Sequence, residues 1–392
     1  MTKEAAPFTR ATYRPWRTAL LVIEILALLY LFFFSIKLME SSFRSFGEGS
    51  VHHLLSVVDN PLAGLMIGIL ITSIVQSSSF TTTQAVIFVA TGALSIRSAI
   101  PIVMGANIGT TITNTLVSLG HVTRREEFRR AYPAAVVHDV FNVLTVAVLF
   151  PIEIKFHYLE RAASTLAGTL TSFHAGRQQN LLQKAIQPLV DLVRRLLIDR
   201  LEATSKVLAG VVCLLVAVTF LFLALYLFVR VIRGALFNRV ESILDAVGFR
   251  RGTTSLFLGF LITAVVQSSS VTTSLIVPLT GAGLLTLEQA YPFTLGANIG
   301  TTFTAVIGSL VAGTDPALHV AGITVALTHL LFNMTGVLLF YPVPFLRKIP
   351  LGIARGVGAV VAKRRYMAGV LVVVLFFVIP LLCFYVGRLL AS

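Results

Sequence analysis

The sequence predicts an all-α polytopic membrane protein: two inverted-topology repeats, each with a re-entrant hairpin broken at Gln-Ser-Ser-Ser, plus a C-terminal transmembrane helix. Three observations lead there. Of 392 residues, 56% are hydrophobic and 12% charged, where soluble domains run at roughly 45–50% and 25%. Stretches of about 20 uncharged residues recur, the length a helix needs to cross a bilayer. The chain also contains itself twice, the third and most informative observation.

Gln76-Ser77-Ser78-Ser79 returns 191 positions later as Gln267-Ser268-Ser269-Ser270. At the same interval Gly105–Thr111 (GANIGTT) returns as Gly296–Thr302, His138–Asn142 (HDVFN) as His329–Asn333 (HLLFN), and Pro151 as Pro342. From Gly68 to Leu119 about half the positions match their partners without a gap. Each copy therefore reads as four pieces. A long apolar helix (Thr18–Met39, Leu208–Val231) leads into a hairpin interrupted at QSSS (Leu62–Leu94, Leu256–Leu285). A helix through GANIGTT and a helix carrying HxxFN follow. At 1.5 Å per residue the hairpin arms are too short to cross about 30 Å of hydrocarbon, so they re-enter. Non-helical backbone survives at that depth only when buried in protein or lining a wet cavity.

Three full crossings per copy turn the second copy upside down, and loop charge agrees. The tail with Lys3, Arg10, Arg14 and Arg17 is expected on the cytoplasmic side. So are the loops with Arg124, Arg125, Arg129 and Arg130, with Arg233, Arg239 and Arg250, and with Arg347, Lys348, Lys363, Arg364 and Arg365. The connection Gly313–Leu318 has no Lys or Arg and falls outside. The organisation that results is a cytoplasmic tail (1–17), a first repeat (18–151), an extracytoplasmic linker (152–205), a second repeat (206–342), and a basic cytoplasmic loop with a final transmembrane helix (343–392). The linker stretch Leu181–Leu201 has apolar residues at helical spacing opposite Lys184, Arg194, Arg195 and Arg200, which reads as an amphipathic helix on the membrane surface or against the core. This topology absorbs the net charge of +14, from 31 Lys+Arg and 17 Asp+Glu, without a nucleic-acid partner. Cys213 and Cys383 lie in apolar segments, so neither a disulfide framework nor a transition-metal site is expected. The first apolar run is too long for a cleavable signal.

The repeated motifs carry the chemistry. Gln76, Ser77, Ser78 and Ser79, with Gln267, Ser268, Ser269 and Ser270, place amides and hydroxyls at two helix starts, where free N–H groups and the positive dipole end suit an oxyanion. Inside the repeated helices the acids are Glu24 and Asp139, with no deep Arg or Lys, so a buried anion needs co-entering cations. Na⁺ prefers oxygen, and Thr81, Thr82, Asn107, Thr110, Asn142, Thr272, Thr273, Asn298, Thr301 and Asn333 supply it. The bland alternatives stay open. Small residues of GANIGTT serve close helix crossings, Asn142 and Asn333 serve interhelical hydrogen bonds, and His138 and His329 are structural. Asp139 stands apart as an acid inside a membrane helix, with Leu330 at the matching position of the second copy. A hydrolase built on Ser77, His138 and Asp139 would give the duplication no purpose, so no enzyme is expected. A channel of the same architecture is the other rival.

The duplicated QSSS, GANIGTTITNT against GANIGTTFTAV, FRRA at Phe128–Ala131, and HDVFN resemble the type II sodium–phosphate cotransporters over Thr18 to about Pro342. That resemblance implies Na⁺-driven import of inorganic phosphate by alternating access at the plasma membrane, with the N-terminus cytoplasmic and no cofactor beyond co-transported Na⁺. It implies that the QSSS hairpins hold phosphate, that Asp139 serves an additional Na⁺ site and electrogenic transport, and that Asn142 is a Na⁺ ligand. Other oxyanions (sulfate, arsenate, a carboxylate) remain the alternative substrates. His121 and Arg124 stand where animal members carry Gln and Asp, leaving one of the family's Na⁺ sites without its usual residues. The linker also lacks those members' disulfide cysteines, as in a compact bacterial version.

Overall fold

The computed structural model describes residues 15–46, 56–174, 179–196, 201, 205–247, 251–313 and 315–389. Lys3, Arg10, Arg14, Arg200 and Arg250 lie outside the described residues, as do the side chains of Arg17, Lys184, Arg233 and Arg239. The described chain is helical, and six of its helices are long and apolar enough to cross a membrane.

The first copy comprises α1 (Pro15–Phe46), the hairpin α2 (Pro61–Val75) and α3 (Ser78–Ala90), the GANIGTT helix split into α4 (Ile96–Gly109) and α5 (Ile112–Leu119), and α6 (Arg125–Phe156) with HDVFN. Next come α7 (Tyr158–His174) and α8 (Gln179–Arg194). The second copy repeats the plan. It runs through α9 (Lys206–Val247), the hairpin α10 (Gly252–Val266), α11 (Ser269–Ser274) and α12 (Ile276–Gly281), the split helix α13 (Leu287–Gly300) and α14 (Thr302–Ser309), and α15 (Pro316–Phe340). α16 (Pro344–Lys363) and the C-terminal helix, α17 (Tyr366–Val373) passing through a π-helical turn into α18 (Ile379–Leu389), complete the chain. The helix expected through GANIGTT is divided in both copies into pieces of 14 and 8 residues, at Thr110–Thr111 in the first and at Thr301 in the second.

Local chemistry explains where the elements start. Asn60 Oδ1 accepts from the amides of Leu62 and Ala63 with Pro61 at the first helical position of α2. Asp315 and Pro316 open α15 in the same way. Both split helices cross the first arm of their own hairpin backbone to backbone. A Cβ on Gly105 would collide with the Leu65 carbonyl, and one on Gly296 with the Leu256 carbonyl. Gly68 and Gly259 do the same from the other side of each crossing. In a membrane interior such contacts replace the hydrophobic drive that lipid removes.

α1 and α9 lie side by side, with the Phe34 and Phe220 rings edge to face at 5.9 Å. The linker helix α8 packs on α1: Ile186 and Val190 are buried and Tyr30 OH donates to the Ala185 carbonyl. The helix following each HxxFN element packs on the other copy. Ala163 and Ala167 of α7 cluster with Ile323 and Leu327 of α15. Gly358 of α16 sits against Pro133 of α6, and Arg365 donates to the Val122 carbonyl at 2.7 Å. Residues 344–363, expected as a basic loop, are therefore a helix that stands to α6 as α7 stands to α15. The sequence reading of no deep Lys also needs correcting. Lys37, inside the first apolar run, is 5% exposed and pairs with Glu40 at 2.9 Å. Mutual neutralisation within one helical turn is what lets both sit there. Buried Glu153 was missed too; its carboxylate caps the start of α7 through the Leu159 and Glu160 amides.

Gly105→Leu and Gly296→Leu are each expected to destabilise the detergent-solubilised protein by about 2–3 kcal/mol. Gly352→Leu, at a position with open space around it, should leave thermal unfolding unchanged.

Candidate substrate and cation site

The two helix breaks are copies of one geometry. Gln76 ends α2 in the left-handed region at φ 57°, ψ 30°, and Gln267 ends α10 at φ 56°, ψ 26°. A left-handed conformation costs a side-chain-bearing residue roughly 1–2 kcal/mol, so its occurrence at the same position of both breaks marks a constraint. Ser77 and Ser268 follow in extended conformation as N-caps, their hydroxyls accepting from the amides of Phe80 and Val271. An accepting hydroxyl keeps its own hydrogen, so both caps can still donate to a ligand.

The breaks meet. Ser79 Oγ donates to the Gln267 carbonyl at 3.3 Å and lies 3.1 Å from Thr301 Oγ1. The Ser78 amide donates to Thr110 Oγ1 at 3.1 Å. Ser77, Gln267, Ser268 and Ser270 are half-buried and Gln76 is exposed, whereas Ser78, Ser79 and Ser269 are buried.

Beside the breaks, four asparagines join the copies. Asn298 Nδ2 donates to Asn142 Oδ1 at 2.8 Å and lies 2.7 Å from Asn333 Oδ1. Asn142 Nδ2 donates to the Asn107 carbonyl at 2.7 Å. Asn107 Oδ1 accepts from Asn333 Nδ2 and faces His329 Nε2, both at 3.2 Å. All four residues are buried, and most of their oxygens are occupied by one another.

A second polar cluster occurs once only. Asp139 Oδ2 accepts from Thr115 Oγ1 at 3.2 Å, and its other oxygen, buried, has no partner. Asn114 Nδ2 lies 3.5 Å from His138 Nδ1, and Asn114 Oδ1 is 2.8 Å from Thr273 Oγ1 of the second hairpin. At the positions 191 residues on, Ala305, Val306 and Leu330 replace Asn114, Thr115 and Asp139. Thr82, the counterpart of Thr273, accordingly has no partner for its buried hydroxyl. Thr81 and Thr272 turn back toward their own breaks, on the carbonyls of Ser77 and Ser268. Asn114 and Thr115 were not singled out from the sequence. Their signal was the mismatch between ITNT and FTAV after GANIGTT.

Paired broken helices inside a bundle of membrane-length helices, with hydroxyls and amides converging from both copies, define a multi-span membrane protein of the transporter class. The chain belongs to the Na+/Pi-cotransporter family, whose model matches residues 31–174 and 220–343. It is 33% identical to sodium-dependent phosphate transport protein 2B of Pongo abelii, over 93% of this chain and 65% of that protein. The human 2B protein is likewise 33% identical, over 93% of this chain and 64% of its own length. Protein 2A of Ovis aries is 33% identical over 94% and 68%. The chain thus spans less than two thirds of the length of the 2B relatives. No solved structure matches.

Asn298→Ala removes both amide donors and leaves buried oxygens on Asn142 and Asn333 unpaired. A loss of about 2 kcal/mol is expected, read as a lower thermal midpoint in detergent.

Proposed function

We propose that the chain is a secondary active transporter that imports inorganic phosphate with Na⁺ by alternating access, moving net charge in each cycle. The observation that carries this reading is the meeting of the two QSSS breaks at Ser79 and Gln267. Two hydroxyl-rich helix starts, one from each copy, offer many donors to a tetrahedral anion. Gln76, Ser77, Ser78 and Ser79 with Gln267, Ser268, Ser269 and Ser270 are the phosphate ligands in this proposal. The names of the relatives support phosphate as the anion and sodium as the driving ion.

An anion taken into this interior needs its charge cancelled. Na⁺ ions supply that from oxygen ligands among Thr81, Thr82, Asn107, Thr110, Asn142, Thr272, Thr273, Asn298, Thr301 and Asn333. The half-satisfied carboxylate of Asp139, beside Thr115, is the proposed seat of an additional Na⁺, and the charge of that extra ion, carried across once per cycle, makes the cycle electrogenic. The second copy runs opposite to the first across the plasma membrane, with the N-terminus cytoplasmic. The reciprocal packing of α7 on α15 and of α16 on α6 supports a two-fold relation between the copies, and the loop charges support its being an inverted one.

Three outcomes test the proposal. Ser79→Ala and Ser270→Ala should abolish phosphate uptake into proteoliposomes under an inward Na⁺ gradient while protein yield holds; normal uptake would refute the phosphate assignment, and stronger inhibition by sulfate than by unlabelled phosphate would change the substrate. Asp139→Gly should lower the charge moved per phosphate, against an unchanged current-to-flux ratio if Asp139 plays no part. Single cysteines at Arg124 and Asp315 should label from opposite faces; labelling from the same face would overturn the inversion.

A further inference from the structure

α7 and α16 are counterparts in the architecture, each an amphipathic helix following an HxxFN helix and packed on the other copy. They differ in charge. α7 carries Glu160 and Arg161 and no lysine, whereas α16 and the two residues after it carry Arg347, Lys348, Arg355, Lys363, Arg364 and Arg365. Three of these six are engaged. Arg347 lies over the Tyr341 ring at 5.6 Å, Arg355 pairs with Glu288, and Arg365 holds the Val122 carbonyl. Lys348, Lys363 and Arg364 are exposed and have no ion-pair partner among the described residues.

The position of α16 fixes what lies beside them. The membrane-length helix Pro316–Phe340 ends three residues before it, and the membrane-length stretch Tyr366–Val386 starts two residues after it. Both ends of α16 therefore sit at one membrane boundary. One stripe, with Leu351, Ala354, Gly358 and Val361, is buried against α6. A different stripe, spaced eight and seven residues apart, exposes Phe345 (73%), Ile353 (41%) and Val360 (53%). Exposed apolar side chains flanked by unpaired cations at the interface match the chemistry of acyl chains beneath anionic headgroups.

We propose that α16 is an anionic-phospholipid binding surface. Phe345, Ile353 and Val360 rest among acyl chains, and Lys348, Lys363 and Arg364 hold the headgroup phosphates of the adjoining leaflet, the cytoplasmic one in the orientation given above. This surface lies apart from the QSSS breaks, so it stands or falls separately from the phosphate assignment.

The test uses the full chain, purified in a nonionic detergent and titrated separately with dioleoylphosphatidylglycerol and dioleoylphosphatidylcholine. Retained lipid is counted by native mass spectrometry. The wild type should retain the glycerol lipid at least fivefold over the choline lipid. Lys348→Gln/Lys363→Gln/Arg364→Gln should lose that preference, and Arg161→Gln on α7 should keep it. Inorganic phosphate at millimolar concentration should not displace the lipid. Equal retention of the two lipids by the wild type would overturn the proposal, as would a preference that survives in the triple variant or displacement by inorganic phosphate.

Discussion

A helix that stops inside hydrocarbon leaves amides and carbonyls without water, and every one of them must find a partner in the protein. The two QSSS breaks are where this chain meets that constraint, and much of the fold follows from how it does so. The left-handed glutamine closes the first arm of each hairpin, and the extended serine caps the second. What the caps leave open is taken up by neighbours: the Ser78 amide by Thr110, and the Gln267 carbonyl by Ser79. Thr110 comes within reach because Gly105 brings its split helix into backbone contact with α2, and Ser79 is supplied by the hairpin of the other copy. A lone hairpin could not satisfy itself, which gives a physical reason for the duplication.

On this near-symmetric frame the chemistry is placed unevenly. The asparagine network spans both copies, with partners drawn from each. The carboxylate does not repeat. Asp139, Thr115 and Asn114 line one side, reaching the second hairpin through Thr273; Leu330, Val306 and Ala305 leave the other side apolar, with Thr82 unpartnered. In the proposed function, one polar side and one apolar side make room for a single additional cation where strict symmetry would supply two seats or none. The same unevenness separates α7 from α16, counterparts in placement but unequal in charge: α7 carries Glu160 and Arg161, whereas α16 carries Arg347, Lys348, Arg355 and Lys363. In the proposed function the duplication thus supplies the scaffold and the phosphate ligands, and the differences between the copies supply the additional Na⁺ seat.

Much of this was legible in the sequence, since the motifs that repeat are those whose backbone geometry is tightly constrained. QSSS announced both breaks because a polar tetrad between two short apolar arms has few other uses. GANIGTT was read two ways, as a close helix crossing and as a source of Na⁺ ligands at its asparagines: its glycines make the crossings, while Asn107 and Asn298 enter an amide network and their role toward Na⁺ belongs to the proposal. Other features were hidden for identifiable reasons. Lys37 sits in an apolar run, and only its turn-mate Glu40 makes burial tolerable. Asn114 and Thr115 lie just past the repeated motif, where the copies diverge. α7 and α16 escaped as counterparts because their surface-facing residues share no sequence pattern, α7 itself being neutral and α16 basic. The close meeting of Ser79 and Gln267 depends on tertiary packing that periodicity does not encode.

The idea that binds these features together is that the anion enters only with its charge cancelled, between two helix starts too poor in cationic side chains to hold it alone. Calorimetric titration of the purified wild-type protein with phosphate, at a series of Na⁺ concentrations held at constant ionic strength with choline, tests this most directly. Phosphate affinity should rise steeply with Na⁺ and vanish in choline alone. Equal affinity with and without Na⁺ would contradict it.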